Sequence, residues 1–284
     1  MNFLLLRLLP KNLLSRLMGV LADQQVPALL LQAIIHIYAH VYKIRLSELK
    51  KPLREMRSFN DFFTRELKKE LRPIDPTPHS ITSPVDGTVA EHGSIKQGLL
   101  VQTKGILYSL NDLVGDQNAQ LFESGYFMTI YLSPADYHRI HTPVAGQVKK
   151  FSYFSGNLWP VNSLGVNNVG GLFSLNERIL TPIESPFGTV GIVKVGATVV
   201  GKIKLKFHSL TSNQGKASQI NLPVLPARNF QKGEELGRFQ LGSTVILLFQ
   251  KDQMLPKDMF KGKKLKMGQV IGTFNKVMQP TTKT

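Results

Sequence analysis

The chain has 284 residues, of which 42% are hydrophobic and 19% charged, a balance that suits folded domains and excludes disorder for most of its length. It contains no cysteine, which excludes disulfide scaffolds, thiolate metal sites and cysteine nucleophiles. Lysine and arginine outnumber aspartate and glutamate by 35 to 19, a net charge of +16. We therefore expect an anionic partner such as an acidic lipid, a phosphorylated substrate or nucleic acid. The lack of zinc-finger, basic-zipper or RNA-binding patterns argues against nucleic acid.

The N-terminal segment is rich in leucine and carries apolar residues at helical spacing. The pattern predicts helices over Phe3–Leu9, Asn12–Ala22 and Pro27–Tyr42. The third helix would be about 24 Å long, shorter than a hydrocarbon core of about 30 Å. We therefore expect residues 1–45 to lie on a membrane surface or dock beside it. An ordinary packed helix is the alternative interpretation.

Short strands follow a charged connector and a turn-forming run at 72–78. We predict an α+β fold in which the helical segment precedes a β-rich, mainly antiparallel domain at residues 46–284. The strands are predicted at Thr88–Ala90, Tyr126–Leu132, Gln147–Tyr153, Val190–Val195, Thr198–Phe207 and Thr244–Gln250. In one of them Lys202, Lys204 and Lys206 alternate with apolar residues, which indicates a basic stripe. Protection of a sheet edge is the favoured interpretation of this stripe, and contact with lipid headgroups is the alternative.

Three short motifs carry residues suited to catalysis. The turn Ser83–Gly87 holds Asp86, and the segment Asp136–Pro143 contains His138 and His141, which can transfer protons near neutral pH. No further ligands stand close to the two histidines, so we expect no metal site. In the third motif Gly242 precedes Ser243 at the start of an apolar run, and a glycine leaves its carbonyl open to a neighbouring hydroxyl.

Together the motifs supply an acid, histidines and a serine, the components of a Ser-His-Asp relay. The serine lacks the Gly-x-Ser-x-Gly pattern, which disfavours an ordinary α/β-hydrolase. Two alternatives stay open from the residues alone. The chain could be a membrane-associated Ser-His-Asp hydrolase that remains intact, or a non-enzymatic membrane-binding protein in which these residues are structural.

The three motifs, in this order, resemble those of the phosphatidylserine decarboxylase proenzyme family. Members of that family combine an Asp-Gly turn, a Tyr-His-Arg-x-His element and a late Leu-Gly-Ser-Thr cleavage site, which correspond here to 86–87, 137–141 and 241–244. The resemblance extends over about residues 45–275 and includes the segments 59–65, 104–110, 160–179, 195–201 and 232–237.

The resemblance implies that the chain cuts itself. His141, oriented by Asp86, would remove the hydroxyl proton of Ser243, whose oxygen attacks the carbonyl of Gly242. The resulting ester would undergo β-elimination, releasing a beta chain of residues 1–242. The alpha chain of residues 243–284 would begin with a pyruvoyl group made from Ser243, and the two fragments would remain associated.

The resemblance also implies the substrate and the setting of the reaction. The pyruvoyl cofactor would form a Schiff base with phosphatidylserine and accept the electrons left by departing carbon dioxide, while His138 would protonate the carbanion to yield phosphatidylethanolamine. The expected partner is phosphatidylserine in an anionic membrane. We expect a homodimer, peripherally bound to the cytoplasmic face of a bacterial cell membrane.

Overall fold

The computed structural model describes residues 10–198, 202–213, 219–240 and 243–275. Its α-helices are α1 (Lys11–Asp23), α2 (Ala28–Tyr42), α3 (Phe59–Phe63), α4 (Leu110–Val114), α5 (Asp116–Phe122), α6 (Ser163–Val166) and α7 (Leu172–Leu175). Short 3₁₀ turns lie at Leu46–Glu48, Leu53–Glu55 and Lys69–Leu71. The helix predicted at Phe3–Leu9 lies outside the described residues.

The strands begin after the N-terminal helices, as predicted, and helices α4–α7 lie between strands in the chain. They are β1 (Ser80–Thr82), β2 (Gly87–Ser94), β3 (Leu99–Thr103), β4 (Ile106–Ser109), β5 (Tyr126–Leu132), β6 (Arg139–His141), β7 (Gly146–Phe154), β8 (Arg178–Ser185), β9 (Gly188–Val195), β10 (Lys202–Leu205), β11 (Gln219–Phe230), β12 (Glu235–Gln240), β13 (Ser243–Phe249), β14 (Met254–Pro256), β15 (Lys264–Leu265) and β16 (Val270–Phe274). The pairings between these strands are antiparallel, which confirms the predicted fold class.

Helices α1 and α2 confirm the second and third predicted helices, and Pro27 is the N-cap of α2. The side of α2 that faces the protein presents Leu31, Ile35 and Ala39, which recur every four residues and therefore share one face. Leu31 and Ile35 belong to a buried cluster with residues of the connector, including Phe62 of α3. Within the described residues, no helix is both long and apolar enough to cross a membrane.

The large sheet has eight strands in the order β11-β7-β8-β9-β13-β5-β2-β15. Strand β13 lies in its interior between β9 and β5, and every residue of β13 is buried. Alternate side chains enter two different hydrophobic clusters, Val245 and Leu247 in one and Ile246 and Leu248 in the other. Because both faces of the strand are covered, its sequence is continuously apolar instead of alternating.

A smaller sheet, in the order β10-β12-β6, stands beside the histidine motif. The chain passes from β5 in the large sheet to β6 in the small one, and returns from β12 in the small sheet to β13 in the large one. Strand β5 pairs with β13 in the large sheet, and β6 pairs with β12 in the small one. The connection from β5 to β6 and the connection from β12 to β13 therefore link paired strands of one sheet to paired strands of the other. The topology therefore brings the histidine loop at 133–138 close to the end of β12, where the N–H of Phe239 donates to the carbonyl of His138, and to the start of β13, where Ser243 pairs with Leu132.

Strand β10 confirms the predicted alternation, since Ile203 and Leu205 are buried while Lys204 and Lys206 are exposed. The described strand is shorter than the predicted run of 198–207, and residues 199–201 lie outside the described part. Because β10 forms an edge of the small sheet, the arrangement agrees with the interpretation that its lysines protect that edge.

Candidate active site

Ser243 is the first residue of β13 and stands opposite Leu132 of β5. Only 1% of its surface is exposed, and its Oγ is buried without a hydrogen-bond partner among the described residues. A buried hydroxyl without a partner costs about 1–3 kcal/mol, and such a group calls for a functional explanation. Gly242, the other half of the predicted cleavage bond, lies outside the described residues.

His138 is completely buried, and its Nδ1 lies 2.7 Å from the carbonyl oxygen of Asp136. A carbonyl can only accept, so Nδ1 carries the proton and Nε2 carries a lone pair. Nε2 has no hydrogen-bond partner among the described residues. Burial and the nearby positive charge of Arg65 lower the pKa of His138 to about 3, so its imidazole is neutral at physiological pH.

His141 is also buried, but both of its ring nitrogens are engaged. Nδ1 donates to the carbonyl of Gly233 at 2.8 Å, so Nε2 must accept from the hydroxyl of Tyr137 at 3.2 Å. Burial is the main cause that lowers the pKa of His141. The backbone N–H of His141 donates to the carbonyl of Pro84 at 2.8 Å, which places this histidine beside the turn that holds Asp86.

The carboxylate of Asp86 is bound by the guanidinium of Arg72 through both of its oxygens. The backbone N–H of Met267 donates to the same carboxylate at 2.8 Å. Both side chains of the ion pair are only 9% exposed. Burial works against the charge of Arg72, but its bonds to Asp86 outweigh that effect and raise its pKa. The raised pKa keeps Arg72 charged, and the two side chains form a buried structural ion pair.

The structure places His141 beside the turn of Asp86, and it places Ser243 opposite Leu132, where the histidine loop begins. It does not make every contact of a resting relay. Asp86 bonds Arg72 and Met267, and among the contacts of the described residues there is no hydrogen bond between Asp86 and His141. Electrostatically, the Asp86 carboxylate still favours protonation of His141 and raises its pKa slightly against the effect of burial. The assignment of Asp86 and His141 to a relay remains a prediction.

Cavities of different character open near these residues. A mostly apolar cavity of about 480 Å³ is lined by Thr244 and Tyr131, the cross-strand pair next to Ser243, together with Val161 and Asn162. A second cavity, of about 520 Å³, is bordered by His141 and has a largely basic rim. The basic residues of that rim are Lys50, Lys68, Lys69, Arg72, Arg139 and Lys206.

Sequence reasoning gave no role to Phe63, Arg65, Arg72 or Tyr137, although each contacts a predicted site residue or its loop. Tyr137 lies within the histidine motif and Phe63 and Arg65 lie within a segment of family resemblance, so their positions could have been noticed. The partners of these side chains could not be predicted from the sequence, because Arg65, for example, bonds a loop 70 residues away. Arg72 belongs to a turn-forming run whose sequence has no periodicity or motif that would indicate a role for it.

Comparison with known proteins identifies the family. The family model described as phosphatidylserine decarboxylase matches residues 59–273. The chain belongs to the phosphatidylserine decarboxylase family. Its relatives in this family include the phosphatidylserine decarboxylase proenzyme of Brevibacillus brevis, 42% identical over 273 residues, which covers 95% of this chain and 96% of that protein.

Two further relatives carry the same description, phosphatidylserine decarboxylase proenzyme. The one from Anaeromyxobacter sp. (strain K) is 42% identical over 276 residues, with coverage of 94% of this chain and 96% of that protein. The one from Shewanella sp. (strain ANA-3) is 45% identical over 254 residues, with 86% of each chain covered. The family match spans Asp86, both histidines and Ser243, so the whole candidate site lies in the part shared with decarboxylases.

Proposed function

We propose that this chain converts phosphatidylserine to phosphatidylethanolamine and carbon dioxide after cutting itself between Gly242 and Ser243. The observation that carries the proposal is the decarboxylase match over residues 59–273, which includes that bond. Relatives named as proenzymes align with nearly the whole chain, which supports synthesis as an inactive precursor. The chemistry proposed for the site requires a reactive serine, and Ser243 is the serine of the Leu-Gly-Ser-Thr motif at 241–244.

The surroundings of Ser243 fit a pyruvoyl group at that position. The Oγ of Ser243 and the Nε2 of His138 are both buried without partners among the described residues, so two reactive polar atoms are left uncommitted. Thr244 is held between Val195 and Tyr131 by strand pairing, which fixes the start of β13. A pyruvoyl group supplies a conjugated carbonyl that withdraws the electrons left when carbon dioxide departs.

Self-cleavage requires a base to remove the proton from Ser243 Oγ before that oxygen can attack the preceding carbonyl. We propose His141 for this step, with Asp86 stabilising the imidazolium that forms. This assignment is supported by the negative charge of Asp86, which favours the protonated form of His141. For the step to occur, the Nε2 of His141 must exchange its bond from Tyr137 for one from Ser243.

Decarboxylation requires a different proton transfer, delivery of a proton to carbon after carbon dioxide has left. We propose His138 for this role, because its Nε2 is free to bind and release a proton while Nδ1 stays anchored on Asp136. Its lowered pKa makes the protonated form a stronger acid than an ordinary imidazolium. Each turnover consumes one proton, which Nε2 of His138 must take up from solvent before it delivers it to the carbanion.

The fragments 1–242 and 243–284 are proposed to stay together because β13 belongs to the alpha chain and lies inside the sheet of the beta chain. After cleavage β13 would still pair with β5 and β9 along its length. Its residues Val245–Phe249 are completely buried, and burial of each such side chain is worth about 1.5–3 kcal/mol.

Helices α1 and α2 are proposed to lie on an anionic membrane. Their outward faces expose large apolar side chains, a combination typical of interfacial helices. These are Leu13, Leu17, Val20, Leu21, Leu29, Leu30, Ile34, Ile37, Val41 and Tyr42. The net charge of +16 favours acidic lipid. Peripheral attachment at the cytoplasmic face and assembly as a homodimer remain part of the proposal.

The decisive experiment is intact-mass analysis of purified protein alongside a carbon dioxide release assay on phosphatidylserine vesicles. We expect two fragments, the smaller lighter by one ammonia than a chain that begins with serine, and we expect carbon dioxide release. Ser243→Ala should give one intact, inactive chain. Ser152→Ala, a change at another buried strand serine, should be processed normally.

The same measurements separate the alternatives. An intact hydrolase would show one chain with unmodified Ser243 and would release no carbon dioxide. A non-enzymatic membrane protein would bind vesicles equally well with and without Ser243→Ala and turn over no lipid. Lipid decarboxylation by a single unbroken chain would overturn the proposal.

A further inference from the structure

Arg65 is a buried arginine in the segment that follows α3, and it reaches the loop that carries the histidines. Only 4% of its surface is exposed. Its Nη2 donates to the carbonyls of Ala135 at 2.9 Å and Asp136 at 3.1 Å. The Asp136 carbonyl also accepts the Nδ1 proton of His138 at 2.7 Å. One backbone oxygen therefore joins the guanidinium of Arg65 to the imidazole of His138.

The same segment covers one face of His138. The ring of Phe63 lies against the imidazole with 4.1 Å between ring centroids, and Phe63 is itself only 2% exposed. The segment is fixed at its start by Ser58, whose Oγ caps α3 by accepting from the N–H of Asp61 at 3.1 Å. The ring contact of Phe63 with His138 and the bond of Arg65 to the Asp136 carbonyl therefore come from one short, anchored element.

Within the described part of the chain, burial lowers the pKa of His138 most, and the positive charge of Arg65 lowers it further. The neighbouring charged groups have hydrogen-bond partners of their own. The carboxylate of Asp136 accepts from the N–H and hydroxyl of Ser133, both at 2.7 Å. The guanidinium of Arg139 pairs with Glu66 at 2.9 Å and Glu235 at 2.8 Å. The carboxylates of Asp86, Asp136 and Glu48 act on Arg65 itself and favour its charged form. Arg65 still lowers the pKa of His138.

We propose that Arg65 is a positioning residue for His138: it holds the Asp136 carbonyl so that the imidazole keeps its proton on Nδ1 and leaves the lone pair of Nε2 free for proton transfer. The structure contains the hydrogen bonds from Arg65 and His138 to the Asp136 carbonyl. Their consequence for catalysis rests on the proposed function. A hydrogen-bonded second residue that fixes the tautomer of a histidine is a general requirement for directed proton transfer.

The test uses histidine-selective ¹⁵N NMR of the full-length Ser243→Ala chain, which is independent of processing and activity. The signals of His138 are identified by their loss in His138→Gln. We expect His138 to be protonated on Nδ1 and to titrate far below pH 6.5. Arg65→Gln keeps an N–H donor without the charge, and Arg65→Lys keeps the charge but replaces the planar guanidinium, whose Nη2 donates to both carbonyls, with an ammonium on a shorter side chain.

Arg65→Gln should raise the pKa of His138 by about one unit or more, and Arg65→Lys should mix the two tautomers. Arg178→Lys is the matched control, because Arg178 is another buried arginine that donates to backbone carbonyls, including that of Leu113 at 2.7 Å. This control should lose stability without changing His138. An unchanged tautomer and pKa of His138 in every Arg65 variant that folds would overturn the inference. Protonation on Nε2 in the parent would also overturn it, whether or not the variants fold.

Processed Arg65→Lys should then show a kcat for carbon dioxide release lowered at least about tenfold, within the range attributed to misplaced acid–base groups, with KM changed less than twofold. Arg178→Lys should retain its kcat. The two readouts separate the possible failures. A changed His138 signal with normal kcat would contradict the role proposed for His138 in decarboxylation, whereas an unchanged signal contradicts the positioning role of Arg65.

Discussion

The hydroxyl of Tyr137 donates a hydrogen bond to Nε2 of His141 at 3.2 Å. Because the Nδ1 proton of His141 is given to the carbonyl of Gly233, this bond occupies the only lone pair of the imidazole. The two rings are also stacked, with 5.7 Å between their centroids. His141 therefore has both nitrogens engaged, whereas His138 has one nitrogen free among the described residues.

Replacing Tyr137 with Phe should accelerate self-cleavage, because it frees the nitrogen of His141 that must accept the Ser243 proton. We expect an increase of about fivefold, since a neutral hydrogen bond is worth about 1 kcal/mol. The rate is measured by a pulse of cell-free translation followed on denaturing gels. Tyr153→Phe is the control, because Tyr153 is also buried but donates to Glu177 at 2.5 Å. Slower cleavage in Tyr137→Phe alone would contradict competition for His141.

Changing each histidine to Gln should separate the two reactions. His141→Gln should leave the chain uncut, because the proposed base for Ser243 is lost. His138→Gln should be cut but should release carbon dioxide about 10²–10⁴-fold more slowly, the usual contribution of a general acid or base. Gels report cleavage and carbon dioxide release reports turnover. An uncut His138→Gln chain beside a processed His141→Gln chain would reverse the two roles.

The exposed apolar faces of α1 and α2 should govern vesicle binding. Leu29 and Ile37 are 84% and 66% exposed, so the double change to Glu should weaken binding to phosphatidylserine vesicles by at least about tenfold while self-cleavage continues. Leu225 and Leu255, at 84% and 53% exposed, lie in the β-rich part and provide the control pair. Vesicle flotation measures binding. Equal losses in the two double variants would refute a specific role for the helices.

Removing one partner of the Arg72–Asp86 pair should lower the stability of the folded chain more than removing both partners. Each side chain is 9% exposed, and removing one partner of a buried ion pair costs about 3–5 kcal/mol because it leaves the other charge uncompensated. Arg72→Met in the Ser243→Ala background should therefore be strongly destabilised in urea. Adding Asp86→Asn should recover part of that loss. Strict additivity of the two changes would show that the pair is not energetically coupled.

Lys194 should make the folded chain less stable as pH falls from about 10 to 7. Burial lowers its pKa to about 7, so over this range the unfolded chain binds a proton that the folded chain does not. The loss of stability stops below pH 7, where both states are protonated. Lys194→Met in the Ser243→Ala background should gain about 2–4 kcal/mol at pH 7 and nearly none of this above pH 10.

Urea unfolding at several pH values measures the effect. Lys194 Nζ has a hydrogen bond to Thr181 at 2.6 Å, and losing that bond should reduce the gain without altering its dependence on pH. Lys204→Met, at an exposed strand position, is the control and should show no pH-dependent gain. A pH-independent difference between Lys194→Met and its parent would contradict a neutral buried lysine.

Much of the local structure could be predicted from the sequence, because local periodicity carries that information. Tyr126–Leu132 was predicted with the bounds that the structure has, and the second and third helices agree within one residue at each end. Leu31, Ile35 and Ala39 lie on the buried face of α2. Short edge strands such as β15, which covers only Lys264–Leu265, were missed because two residues have no detectable period.

The amino-acid sequence by itself determined which chemistry the chain can offer: a serine that opens an apolar strand, two histidines three positions apart and a carboxylate in a turn, in the order typical of one family. Tertiary structure alone decided how these groups are connected. In the folded chain Asp86 pairs with Arg72, and Tyr137 donates a hydrogen bond to His141. His138 and Arg65 both donate to the Asp136 carbonyl. The reason is physical: a residue's own propensities specify its local conformation, whereas the partner of a buried polar atom is chosen by chain topology and by the cost of leaving that atom unsatisfied.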